Sequence, residues 1–371
     1  MQSLVEHQTG MKKILIIHVT GFGYSGITSV IFNYCAFMNR EGLKIDFVSP
    51  KQIPERLIHK FSDLGRIIEL PDRKKRLLDY CRKLSELFKR NKYDVVHIHG
   101  NSGTMMIESS LARLSNISNI IVHCHSTVCT HPVLNKLMRP IMIHTADNLL
   151  CCSEKAGEWL YKKNNYQVIN NAINTREFRF SEQIRSDMRK KLNINDEFVL
   201  GHIGHFTEQK NHLFLINLLE QLVKKTRNIK LLLVGEGPLL ESVHQKVCSL
   251  SLEDYVIFAG KSDDPKSMYS AMDMFIFPSK WEGLGMVLIE AQASGLSCIA
   301  SNTVPKESNI TGNVKFIDCK NIEEWKRCIY DCFRFSDKNR NIVSDKNILK
   351  IQQYGYDIVT EAEKLKEIYI R

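Results

Sequence analysis

Short apolar runs alternate along the chain with longer segments whose apolar positions recur at helical spacing. Six runs fall at 13–19, 44–48, 94–98, 119–124, 148–152 and 167–170. A second series follows at 198–203, 229–234, 255–259, 274–277, 297–300 and 314–317. Amphipathic patterns fill most of the gaps, among them 26–39, 75–90, 211–224, 238–249 and 284–294. Short apolar strands alternating with helices predict parallel sheets with helices on both faces. Two such series predict two doubly wound α/β domains, at 11–180 and 181–352. Residues 1–10 read as an extension outside the fold, and 353–371 as a C-terminal helix returning to the first domain. The polar stretch 175–197, with Arg176, Glu177, Glu182, Arg185, Arg189, Lys190 and Lys191, is the linker candidate. Ligands of open parallel sheets gather beyond the carboxyl ends of the strands. Chemistry is therefore expected in the loops after strands, and in the cleft between the two sheets.

Composition narrows the class. The chain has 371 residues, 43% hydrophobic and 25% charged, which excludes a disordered chain, a collagenous chain and a small disulfide scaffold. Lys plus Arg number 51 against 41 acidic residues, and a net charge of +10 points to an anionic partner: nucleotide, nucleic acid or anionic lipid. No apolar run approaches the roughly 18 residues of a membrane span. The start Met11-Lys12-Lys13-Ile14-Leu15-Ile16-Ile17-His18 imitates a secretory signal for a few residues. A glycine-rich loop follows it at once, so it reads as a first strand. The eleven cysteines are scattered and odd in number, the usage of reduced thiols in a cytoplasmic protein.

Several loops carry candidate chemistry. Gly21-Phe22-Gly23-Tyr24-Ser25-Gly26 follows the first strand and opens a helix, with Asp46 twenty residues beyond Gly26. That spacing matches a dinucleotide fingerprint and supports an NAD-dependent oxidoreductase as the alternative reading. The plainer reading is that the glycines let a helix N-terminus approach phosphate, or simply make a tight turn. In the second half, strand 198–203 runs into Gly204-His205-Phe206-Thr207-Glu208-Gln209-Lys210-Asn211, where Lys210 can bring a cation to a phosphate. The most informative segment is Pro278-Ser279-Lys280-Trp281-Glu282-Gly283-Leu284-Gly285-Met286-Val287-Leu288-Ile289-Glu290. A helix starting near Leu284 would leave the amides of Gly283 to Val287 free as an anion site. Glu290 then falls on an otherwise apolar helix and must have hydrogen-bonding partners there; sugar or ribose hydroxyls are suitable donors.

The run His123-Cys124-His125-Ser126-Thr127-Val128-Cys129-Thr130-His131 suggests zinc at first sight. Strand alternation, however, puts Cys124 opposite His123 and His125, and no C-x-x-C or H-x-x-x-H pair accompanies them. No metal site is expected, and His125 reads as a hydrogen-bonding residue at a strand end. Segment 73–92 carries nine Lys or Arg against Asp79 and Glu86, with Leu77, Tyr80, Cys81, Leu84, Leu87 and Phe88 at helical spacing. It reads as a surface helix whose stripe packs on the first sheet. Its basic face is either solvated or meets anionic lipid.

Together these segments resemble the retaining glycosyltransferases of family 4, which have the GT-B fold of two Rossmann-like domains facing across a cleft. The resemblance covers about residues 11–371. It rests on the E-x7-E signature from Glu282 to Glu290, and on Leu233-Val234-Gly235-Glu236-Gly237-Pro238, Phe258-Ala259-Gly260 and Ala271-Met272-Asp273 before it. Val304-Pro305-Lys306-Glu307 after it, and Asp94-Val95-Val96-His97-Ile98-His99-Gly100 in the first half, fit as well. Gln209-Lys210-Asn211-His212 and Glu290-Ala291-Gln292 are most similar to the capsular and exopolysaccharide branch.

The resemblance implies roles. Glu290 would hold the ribose of a nucleotide-sugar donor, expected to be a UDP-sugar. Glu282 would face the transferred sugar with the amides of Gly283, Leu284 and Gly285. Met286, Val287 and Lys210 would take the diphosphate, joined by Gly26 across the cleft. His125 would contact the sugar near its reacting face, and the backbone at Gly260 and Lys261 would meet the base. After Gly204 the family usually has Arg where this chain has His205, which leaves Lys210 as the main side-chain cation. The acceptor would be a glycan or lipid-linked glycan. No two Asp residues are separated by a single residue, so the Asp-x-Asp metal clamp of the other large nucleotide-sugar transferase class is missing. Transfer without metal or other cofactor is the expectation. A nucleic-acid-binding protein would rest on the charge alone, since no stacking motif supports it.

Overall fold

The computed structural model describes residues 10–23, 25–262, 264–334 and 339–371. Of the expected extension, residues 1–9 lie outside the described residues, as does Tyr24 of the first glycine loop. In chain order the elements begin β1 (Lys12–His18), α1 (Gly26–Phe37), β2 (Leu43–Ser49), α2 (Glu55–Ser62), β3 (Arg66–Glu69), α3 (Leu77–Asn91) and β4 (Val95–Gly100). Next come α4 (Met106–Leu114), β5 (Asn119–Cys124), α5 (Pro132–Thr145), β6 (Asn148–Cys151), α6 (Glu154–Tyr161) and β7 (Gln167–Val168). They continue as α7 (Glu182–Lys191), β8 (Phe198–Ile203), α8 (His212–Val223), β9 (Ile229–Val234), α9 (Leu240–Ser249), β10 (Val256–Gly260), α10 (Pro265–Ala271) and β11 (Met274–Phe277). The last are α11 (Met286–Ala293), β12 (Ser297–Ser301), β13 (Val314–Ile317), α12 (Ile322–Arg334), α13 (Arg340–Gln353) and α14 (Ile358–Ile370).

These elements form two units. The first takes the chain up to Ala172 together with Ile358–Arg371; the second is Ile173–Asp357. The first holds a parallel sheet in the order β3-β2-β1-β4-β5-β6-β7, the second a parallel sheet in the order β10-β9-β8-β11-β12-β13. In each, strand order reverses beside the first strand of the unit, which is the switch point where open α/β sheets carry their ligands. The apolar strands are unbroken because both faces are covered. Ile14 and Ile16 of β1 pack with Val30, Ile31 and Tyr34 of α1, while Leu15 and Ile17 pack with Tyr80, Leu84 and Phe88 of α3. Leu365, Ile368 and Tyr369 of α14 complete the α1 side of that core.

Three expectations differ from what is observed. The divisions fall at 172/173 and 357/358 rather than at 180/181 and 352/353. Segment 173–180 is tied into the second unit: Thr175 Oγ1 donates to Asp357 at 2.5 Å, Arg179 pairs with Asp345 at 2.6 Å, and the Phe180 amide donates to Ser344 Oγ at 3.0 Å. The linker expected at 175–197 is not a linker, since it contains α7. Two of its arginines grip Asp273, Arg185 at 2.5 Å and Arg189 at 3.1 Å, and Arg189 also donates to the carbonyls of Asn195 and Glu197. The edge strand β3 went unread, because two isoleucines between Arg66 and Glu69 give too short a period to register.

Candidate functional site

In the second unit β8 and β11 are neighbours, so the loops that follow them lie side by side. Backbone and side chains join these loops. The Lys280 amide donates to the Gln209 carbonyl at 2.8 Å, Gln209 Nε2 donates to the Trp281 carbonyl at 2.8 Å, and Lys280 pairs with Glu208 at 2.8 Å. At the centre of this seam Lys210 Nζ meets Glu282 Oε1 at 2.6 Å, with 16% and 8% of the side chains exposed. The ammonium also lies 4.8 Å from the centre of the Phe277 ring, a cation–π contact. Glycine makes room for this arrangement. A Cβ on Gly204 would sit 3.2 Å from the stem of Lys210, and one on Gly235 only 2.1 Å from the Gly204 carbonyl oxygen.

The helix after Glu282 begins at Met286, two residues later than expected, because Gly285 is its N-cap with φ +81. The first-turn amides of Met286 and Val287 are thus the ones left without carbonyl partners in their own helix. Glu290 sits on the second turn, and its Oε2 lies 2.8 Å from Tyr269 Oη, which is also 3.1 Å from the Val287 carbonyl. Burial pushes the Glu290 carboxyl up to about 7, against the opposing pull of the Tyr269 hydrogen bond and the Lys210 charge. Gly260 ends β10 with φ +64, and the neighbouring Lys261 pairs with Glu236 at 3.7 Å. His205 is exposed. Lys210, Glu282, Gly204 and the start of α11 are therefore brought together. Tyr269, the partner of Glu290, was missed, since a lone Tyr on α10 gives no spacing signal.

In the first unit the glycine loop is held by its own neighbours. Ser25 caps α1, the Phe22 amide donates to Ser49 Oγ, and the Gly23 amide donates to Thr28 Oγ1. Lys51 lies over the loop: a Cβ on Gly21 would meet Lys51 Cγ at 2.4 Å. This cation, two residues beyond β2, was also missed. The dinucleotide expectation loses its acidic residue. Asp46 is buried inside β2, where it accepts from Arg66 Nη2 and from Tyr93 Oη, both at 2.6 Å, leaving it nothing to offer a ribose. His125 stands just past β5 with Nε2 2.8 Å from His99 Nδ1. Burial, then the neighbouring histidines, hold its pKa well below the usual value. Cys124 packs on the opposite face of the sheet from His123, and β4 and β5 bring His97, His99 and His123 together, a set not read from the sequence.

The chain matches the family model "Glycosyl transferases group 1" over residues 184–345 and "Glycosyltransferase Family 4" over residues 24–177. It is 26% identical over 372 residues to the protein called EpsF of Bacillus subtilis (strain 168), a glycosyltransferase by name, covering 95% of this chain and 96% of that one. It is 26% identical over 309 residues to the Escherichia coli UDP-Gal:alpha-D-GlcNAc-diphosphoundecaprenol alpha-1,3-galactosyltransferase, covering 77% and 78% of the two chains. In structure it resembles a glycosyltransferase from Rickettsia africae ESF-5, with a TM-score of 0.81 at 19% identity over 96% of this chain and 98% of that one. Anabaena Alr3699/HepE in complex with UDP superposes with a TM-score of 0.76 at 17% identity, covering 96% and 99%. With one family model on each unit and two parallel Rossmann-like sheets in common with a solved transferase, the chain belongs to the glycosyltransferases of the GT-B fold.

Proposed function

We propose that the chain moves a sugar from a UDP-sugar to a glycan or lipid-linked glycan acceptor, with retention at the anomeric carbon and without a metal, in the synthesis of a capsular, exopolysaccharide or related surface glycan. The observation that carries this reading is the pair of carboxylates about the start of α11: Glu282 on Lys210 ahead of Gly285, and Glu290 on the second turn against Tyr269. Glu290 accepts the two ribose hydroxyls. Lys210 and the first amides of α11 meet the diphosphate charge that grows as the sugar leaves, and preorganised donors of this kind act most strongly on developing charge. Glu282, with Gly283, Leu284 and Gly285, faces the sugar. Within the first unit, donor contact is assigned to Gly26 at the head of α1 and to His125. The acceptor hydroxyl is deprotonated by the departing phosphate oxygen on the same face, so no side-chain nucleophile is needed. The UDP held by Anabaena Alr3699/HepE and the diphosphoundecaprenol in the name of the Escherichia coli relative support this donor and this acceptor class. The likeness to the Staphylococcus aureus capsular polysaccharide biosynthesis glycosyltransferase CapM supports the polysaccharide role.

A lipid-linked acceptor places the enzyme at the inner face of the cell membrane. We assign that contact to the basic face of α3; among the described residues no helix is long and apolar enough to cross a membrane. The deciding experiment is a screen of nucleotide release from UDP-sugars in chelator, followed by NMR of the product. An α product from an α donor, formed without added divalent ion, is expected. An inverted product, or strict dependence on manganese or magnesium, would refute the proposed chemistry.

A further inference from the structure

Helix α5 of the first unit has the polarity of a surface helix reversed. Its polar Asn135 is buried, where Oδ1 accepts from the Gly103 amide at 2.7 Å, and Met142 packs into the sheet core. A Cβ on Gly103 would lie 2.6 Å from the Arg139 nitrogen and 2.7 Å from the Asn135 carbonyl oxygen, so this side of the helix is pressed onto backbone. The outward side is apolar. Val133, Leu137 and Ile141 recur at four-residue spacing with Leu134 beside them, and the four are 43% to 71% exposed. Val128, in the loop before the helix, is 70% exposed. A lone exposed leucine is ordinary, whereas a row of apolar side chains on one helix face marks a surface that meets another apolar phase.

Charge selects the phase. From His125 to Ala146 the chain has no Asp or Glu, while Lys136, Arg139 and three histidines are present. The next acid, Asp147, is tied to Arg113 at 2.6 Å, and Glu108 of the adjoining α4 is buried against Arg73. A second copy would bring like charge to like, since the chain carries +10. An anionic bilayer offers acyl chains to the apolar row and phosphate to the cations. Tyr80, Leu84 and Phe88 of α3, Ala112 of α4 and Met142 of α5 share one core, which sets α5 in the same helical layer as α3.

We propose that α5 lies in the plane of an anionic bilayer surface and buries Val133, Leu134, Leu137 and Ile141 among the headgroups and upper acyl chains. The proposal rests on the membrane contact read above and adds to it a part that salt does not remove. The basic face of α3 draws the chain to the surface by charge, which 1 M salt screens within about 3 Å. Apolar burial by α5 persists in the same salt, because it depends on area removed from water rather than on charge.

The probe is a vesicle of phosphatidylglycerol and phosphatidylcholine, sedimented with the full chain at low salt and in 1 M NaCl. The wild type should keep part of its binding in 1 M NaCl. Changing Leu134, Leu137 and Ile141 together to Gln should lower that salt-resistant partition at least tenfold, with UDP affinity and melting temperature unchanged. Leu137→Trp keeps the apolar face and gives a second readout: its added emission should be quenched by lipids brominated in the upper acyl chain. Binding that 1 M NaCl removes completely, or that the triple variant keeps, overturns the proposal while leaving the contact through α3 standing. So does a Leu137→Trp chain that sediments with vesicles unquenched. A wild type that ignores vesicles at both salts overturns both. If it is then a dimer that the triple variant dissociates, the face belongs to a second copy.

Discussion

Glu290 shows what a single buried carboxyl contributes. Its value of about 7, against an ordinary 4.5, means that the donor-free chain carries it largely protonated in mildly acid solution. Only the ionised form offers acceptors to both ribose hydroxyls. UDP-sugar affinity should therefore rise with pH through about 7 and level off above, as isothermal titration would read. Glu290→Gln should flatten that profile and weaken binding at least tenfold, since each charge-assisted bond is worth about 1.5–3 kcal/mol. The same shift acts on folding with the opposite sign. A folded value above the unfolded one stabilises the ligand-free chain at pH below 4.5 and loses that contribution as pH climbs to about 7. A pH-independent affinity in the folded wild type would remove Glu290 from the donor site. At this scale much of the site was legible. Lys210, Glu282 and Glu290 stand at fixed distances from strand ends and helix starts. Lys51 and Tyr269 do not, and the histidine set depends on the register between β4 and β5, which no spacing within one strand reveals.

Elements were legible where their period was long. The twelve expected strands all appear, each within a few residues, while β3 and α2 were too short or too polar to read. Polarity also misled over α7, where arginine side chains serve buried carbonyls rather than solvent. Helix α3 separates the two uses of a basic residue. Tyr80, Leu84 and Phe88 face the core as expected, but Arg73 ahead of the helix does not join the solvated face. It pairs at 2.6 Å with Glu108, itself wholly buried and also bonded by Tyr80 Oη at 2.9 Å. Breaking a buried pair leaves an uncompensated charge that costs roughly 3–5 kcal/mol. A test of lipid contact must therefore spare Arg73. Lys74, Lys75, Lys83 and Lys89 are exposed. Changing all four to Gln should largely abolish salt-sensitive cosedimentation with anionic vesicles, each lysine being worth about 1 kcal/mol near such a surface. UDP binding should not change. Wild-type protein that ignores anionic vesicles at low salt would leave α3 as an ordinary surface helix.

For the whole molecule, the alternation of strand and helix predicted the paired parallel sheets, whereas the ends of the units had to be seen. The first unit is discontinuous in sequence: Ile358, Leu365, Ile368 and Tyr369, all buried, belong to a core otherwise built before residue 173. Losing a large buried side chain costs about 2–5 kcal/mol. Removing four exceeds or consumes the roughly 5–15 kcal/mol of net stability that a domain possesses. A chain ended at Asp357 should keep slow amide exchange in β8 to β13 and lose it in β1 to β7, as hydrogen exchange with mass spectrometry would show. Protection retained in both sheets would mean that α14 is dispensable. The same feature inverts the usual order of events on the ribosome, where domains mature from the N-terminus as they emerge. Here the unit made second has all its residues first, while the unit begun first waits, its apolar seam open to chaperones, until α14 leaves the exit tunnel.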